Sequence, residues 1–74
     1  MQIGDRIYQV MSNADMSTLK FSQTIHCGRT ALDMWLSNSR IPPVHALVNI
    51  CTEFEVSADW LMLGIGDMYR KEKQ

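Results

Sequence analysis

The sequence predicts an all-α fold, a compact domain of five short helices around one core. Apolar residues recur at three- and four-residue spacing in every segment, and none alternates convincingly at period two. Turn-forming clusters and two prolines cut the chain into pieces of helix length. At 74 residues and 46% hydrophobic composition, one domain with one small core is what the chain can build.

The first helix carries Ile3, Ile7, Val10 and Met11 on one face, with Asp5 near its positive end. "SNAD" (residues 12–15) supplies a turn. Ser17 caps a short second helix, Met16 precedes it as a hydrophobic staple, and Phe21 and Ile25 lie one turn apart. Cys27–Gly28 interrupts that pattern. A third helix spans about residues 29–37 and turns Leu32, Trp35 and Leu36 to one side. Asn38 suits a left-handed stop, and Pro42 cannot continue a helix. Pro43 suits the first turn of a fourth helix, whose expected apolar stripe is Val44, Leu47, Val48, Cys51 and Phe54. Ser57 caps a fifth, "ADWLML", with Asp59 near its start and Gly64 as its C-cap. The domain therefore covers residues 1–66, and residues 67–74 read as a short polar tail that frays.

Composition narrows the function. "MQIGDRIYQV" has an acid and no apolar core of a signal peptide. The longest uncharged run, residues 41–52, is too short and too polar to span a bilayer. The expectation is a soluble, cytoplasmic protein with no membrane partner. Cys27 and Cys51 lack the paired spacing of a zinc site and read as reduced thiols packed as small hydrophobes. His26–Cys27 is the one suggestive pair, but no set of nucleophile, base and orienting group accompanies it, nor paired acids or a phosphate loop. No catalytic residue, metal site or cofactor is expected, and the chain does not read as an enzyme.

Net charge is −1, so total charge points to no partner. Its distribution says more. Residues 16–42 hold Lys20, Arg29 and Arg40 against Asp33 alone, whereas residues 43–69 hold Glu53, Glu55, Asp59 and Asp67 with no base. Such asymmetry is compatible with a polyanion docking on one side, and equally with an ordinary solvated surface.

Two short helices joined by three or four residues cross steeply, which is the geometry of a helix-turn-helix. Phe21, Ile25, Cys27, Leu32 and Trp35 stand where such a unit needs apolar residues to lock its helices together. From residue 3 to 64 the chain resembles the lambda-repressor-like (Cro-type, xenobiotic-response-element) DNA-binding domains. The likeness is carried by "IGDRI", the capped "MSTLKF", the tryptophan followed by "SRIP", and the closing "VSADWLMLG". It implies a transcriptional regulator that binds a double-stranded DNA operator, commonly as a homodimer on a near-palindromic site. The chain departs from that pattern at Thr18 (usually Gln), Ser22 (Ala), His26 (Gly) and Leu36 (an acid), and Lys20 replaces the acid of a capping box. Ser22 is one oxygen larger than Ala and should fit. His26 should take positive φ, which histidine tolerates better than most residues.

On this reading the third helix lies in the major groove, with Gly28, Arg29, Thr30, Asp33 and Met34 toward base edges. Arginine pairs bidentately with guanine, aspartate accepts from a cytosine amine, and an apolar side chain meets a thymine methyl. Ser17, Thr18 and Lys20 at the second helix, and Asn38, Ser39 and Arg40 after the third, are the phosphate-side candidates. Trp35 and Trp60 read as core anchors, since a single-strand binder needs several exposed aromatics along a basic groove. The competing reading is a protein-interaction module on the same fold, an anti-repressor or partner-binding subunit with weak or no DNA binding. Near-neutral charge, Asp33, and the apolar Leu19, Met34 and Leu36 motivate it.

Overall fold

A computed structural model of the chain describes residues 2–70. They form five helices: α1 Ile3–Asn13, α2 Thr18–Thr24, α3 Arg29–Leu36, α4 Val44–Phe54 and α5 Ala58–Leu63. None of them is long and apolar enough to cross a membrane. α3 packs against α1 and α2, and α5 against α1 and α4. The buried core draws on every helix: Ile7 and Val10 from α1, Phe21 from α2, Leu32 and Trp35 from α3, Ala46 and Ile50 from α4, and Trp60 and Leu61 from α5. Each large apolar side chain taken out of water there contributes about 1.5–3 kcal/mol before the entropy of ordering is subtracted. Phe21 stacks on Phe54 with ring centroids 5.1 Å apart, tying α2 to α4.

Every helix is followed by a residue in the left-handed region: Asp15, His26, Asn38, Glu55 and Gly64. Four of these ends share one hydrogen-bond pattern, in which an amide reaches back five residues to a helical carbonyl. The pairs are Met16 to Met11, Cys27 to Ser22, Ser39 to Met34 and Val56 to Cys51. This is the Schellman closure, and it lets the chain turn sharply without leaving buried carbonyls bare. Asp, His and Asn tolerate positive φ; Glu55 is the costlier choice.

Three expectations need correction. Ser12 and Asn13 belong to α1, so the turn is only Ala14–Asp15. Pro43 is the N-cap of α4 and not a residue of its first turn. The stripe of α4 is also rotated. Ala46, Leu47 and Ile50 are buried, whereas Val44 is 74% and Val48 53% exposed. A helix apolar on more than one side does not reveal from sequence which side the core takes.

The segment after α5 is docked in its described part. Ser57 N–H donates to the Met68 carbonyl (2.8 Å) and Arg70 N–H to the Glu55 carbonyl (2.8 Å), which makes Val56 and Tyr69 an antiparallel bridge. Met68 packs on the core, and the Arg70 guanidinium meets the Glu55 carboxylate at 3.0 Å. The fraying expected from residue 67 therefore does not hold for residues 67–70. Residues 71–74 lie outside the described residues.

Candidate nucleic-acid interface

α2 and α3 form one unit because the turn between them is satisfied from both sides. Ser17 Oγ accepts from the Lys20 amide at 3.2 Å and caps α2. Ser22, fully inside, donates its hydroxyl to the Leu19 carbonyl at 2.8 Å, so the larger side chain fits without an orphaned oxygen. At the turn, Asn49 of α4 donates from Nδ2 to the Ile25 carbonyl at 3.0 Å. That contact pins the turn to the body of the domain. The sequence offered one clue to it, a lone amide within the apolar run of α4.

His26 has φ 61° and is exposed. Cys27 packs half-buried against the core, where burial pushes its thiol above the usual range. Cys51 is raised by burial too, opposed by the nearby Arg70 charge. Both are neutral thiols at pH 7, and the thiolate is the reactive form. Among the described residues no three potential metal ligands cluster. His26→Gly is expected to leave stability unchanged or raise it by up to about 1 kcal/mol, because glycine enters the left-handed region without a Cβ clash. Thermal denaturation reads this directly. A large loss of stability would contradict a purely conformational role.

α3 is preceded by its N-cap Gly28, whose backbone is extended (φ −76°, ψ 147°) and which offers no side-chain cap. A Cβ built on Gly28 would meet nothing within 4 Å, so nothing within the fold demands glycine there. Leu32 and Trp35 are buried, with Ala31 and Leu36 half-buried beside them. That leaves Arg29, Thr30, Asp33 and Met34 together on the exposed face, extended at its end by Ser37. Leu36 thus packs against the core, while Leu19 stands 50% exposed on α2.

The flanking candidates divide. Lys20 and Arg40 are exposed, and among the described residues neither they nor Arg29 enter an ion pair. Ser39 is exposed, and its hydroxyl lies 2.8 Å from that of Ser37. Thr18 is half-buried at the first position of α2. Asn38 is used by the fold: its Oδ1 accepts from the Gly4 amide at 2.9 Å, and its Nδ2 lies 3.5 Å from Asp5 Oδ1. Its side chain ties the start of α1 to the end of α3, which removes it from the stronger phosphate-side candidates. Gly4 belongs to the same junction, since a Cβ there would overlap the Trp35 carbonyl oxygen.

A tight turn joining a capped α2 to a helix with an exposed face, held by three further helices, is a five-helix fold built on a helix-turn-helix. Among solved structures the chain superposes on the P22 c2 repressor protein, determined in complex with synthetic operator 9T in the presence of Tl+. The TM-score is 0.80 over 88% of this chain and 98% of that one, at 17% sequence identity. No protein-family model matches the chain, and no curated protein matches it by sequence.

Proposed function

We propose that this protein binds double-stranded DNA sequence-specifically and regulates transcription in the cytoplasm, as a homodimer on a near-palindromic operator. The exposed face of α3 carries the reading. It holds Arg29, Thr30, Asp33 and Met34 free of the core, with Lys20 before it and Arg40 after it. In the major groove Arg29 would pair with a guanine edge, Asp33 would accept from a cytosine amine, and Met34 would pack on a thymine methyl. Lys20, Arg40, Ser39, Ser17 and the first amides of α2 and α3 would hold phosphates and fix the register. The likeness in fold to a repressor solved on operator DNA supports this reading.

The interaction-module alternative draws on Leu19, half-exposed beside the reading helix, and on the net charge of −1. Selection from random-sequence duplexes separates the two. A short, nearly palindromic site should be enriched. With two cations per protomer engaging phosphate, four in the dimer, affinity should fall about 10²-fold between 50 and 200 mM salt. Arg29→Ala should relax base preference at one position, at a cost of about 1–3 kcal/mol, while Arg40→Ala should weaken all sequences alike. No enrichment, together with two neutral substitutions, would remove α3 as a DNA-reading face.

A further inference from the structure

The α2–α3 unit is closed within itself, and its attachment to α4 rests on one directional contact. Inside the unit, the Cys27 amide donates to the Ser22 carbonyl at 2.9 Å and the His26 amide to the Gln23 carbonyl at 3.3 Å. The turn is therefore satisfied by the backbone of α2 alone. From α4, Phe54 stacks on Phe21, and Asn49 Nδ2 donates to the Ile25 carbonyl at 3.0 Å. Among the described residues this is the one hydrogen bond between residues 17–36 and residues 44–70. The two contacts act differently. Stacked rings can slide and tilt, because burial of apolar surface is not directional, whereas an N–H···O bond holds both a distance and an angle. Asn49 is also the single polar residue of Ala46–Cys51, in the middle of a helix where alanine would be the better helix former.

We infer that Asn49 is a positioning residue for the reading helix: its hydrogen bond sets the angle at which α3 is presented, and through that angle the affinity and base preference for DNA, with no DNA contact of its own. The inference deepens the DNA-binding reading and rests on it. α3 is held at both ends by a side-chain amide. At its exit, Asn38 Oδ1 accepts from the Gly4 amide of α1 at 2.9 Å. At its entrance, Asn49 holds the buried Ile25, which ends α2 just ahead of the α3 N-cap Gly28. Without the entrance bond the α2–α3 unit turns about its exit, and the Phe21–Phe54 stack slides with it. Leverage makes this consequential. α3 is about 12 Å long, so a tilt of about 5° displaces its start by about 1 Å. A binding constellation must be held to within about 0.5 Å. Arg29 and Thr30 stand at the end that moves, so the base contact assigned to Arg29 is the one most exposed to the loss.

Asn49→Ala tests this, beside Asn49→Gln, which keeps a donor on a longer stem. Alanine's helix propensity offsets part of the lost bond, so Tm should move by less than about 5 °C. Residual dipolar couplings of the whole chain, without DNA, should show the α2 and α3 amides of Asn49→Ala turned together relative to α1 and α5. Asn49→Gln should bring them most of the way back. On the duplex enriched by selection, Asn49→Ala should bind about tenfold more weakly, with base preference relaxed where Arg29 reads, and Asn49→Gln should recover most of that loss. Couplings of α3 that Asn49→Ala leaves unchanged overturn the inference. So does wild-type affinity in a variant whose α3 has turned, or an affinity loss that only tracks a larger fall in Tm. Because the couplings are measured without DNA, a failed operator selection beside a turned α3 would overturn the DNA-binding reading and leave the hold of Asn49 on α3 standing.

Discussion

Gly4→Ala is expected to destabilise the domain by about 2–3 kcal/mol, lowering Tm by roughly 10–20 °C. The sign makes the test sharp. Gly4 is a helical residue of α1 with ordinary backbone angles, and helix propensity alone predicts that alanine there stabilises by about 1 kcal/mol. Packing opposes it. A Cβ at Gly4 overlaps the Trp35 carbonyl oxygen and lies 2.6 Å from Asn38 Oδ1. The first of these is backbone, so the clash cannot be relieved by a side-chain rotation. α1 and the end of α3 must separate, stretching the 2.9 Å bond from the Gly4 amide to Asn38. For a domain of this size, whose whole stability is about 4–11 kcal/mol, such a loss is a large fraction. Urea unfolding should show a lower midpoint at constant slope. A raised midpoint would mean that α1 does not approach α3 this closely. The loop from Ser37 to Arg40 continues from the same junction, so the proposed DNA binding should weaken with stability.

The junction at Gly4 illustrates what was legible in the sequence. The five helices were, because caps such as Ser17 and Ser57 and stops such as Asn38 and Gly64 are local signals that the backbone obeys within one turn. The exposed face of α3 followed from the same periodicity once Leu32 and Trp35 were taken as anchors. The rest is tertiary. Nothing local says that Gly4 touches Trp35, that Asn49 reaches the Ile25 carbonyl, or that Asn38 turns back to α1 instead of outward. The stripe of α4 misled because Val44 and Val48 are as apolar as the true core positions Ala46, Leu47 and Ile50. That surplus leaves Val44 and Val48 in water: a helix with two apolar faces has one to spare after the core is packed. Residues 67–70 misled for the opposite reason, since a single bridge held by backbone groups leaves almost no pattern in the side chains.

Arg6→Met should cost about 2–4 kcal/mol and loosen α5 specifically. Arg6 is buried to 6% exposure, and its guanidinium caps the last turn of α5. Nε donates to the Leu61 carbonyl at 2.8 Å and Nη2 to the Met62 carbonyl at 3.1 Å. Those carbonyls have no partner within a six-residue helix, and they form its negative end, so a buried cation there gains from both the hydrogen bonds and the dipole. Methionine keeps much of the side-chain volume but removes the donors. Arg6→Lys keeps the charge but lacks the rigid fork that spans two carbonyls, so it should recover only part of the loss. Hydrogen exchange distinguishes this clamp from general packing. The Gly64 amide, bonded to the Trp60 carbonyl at 2.8 Å, should lose protection in Arg6→Met well before the α2–α3 amides do. Uniform loss of protection across all five helices would instead make Arg6 a contributor to global stability with no particular hold on α5.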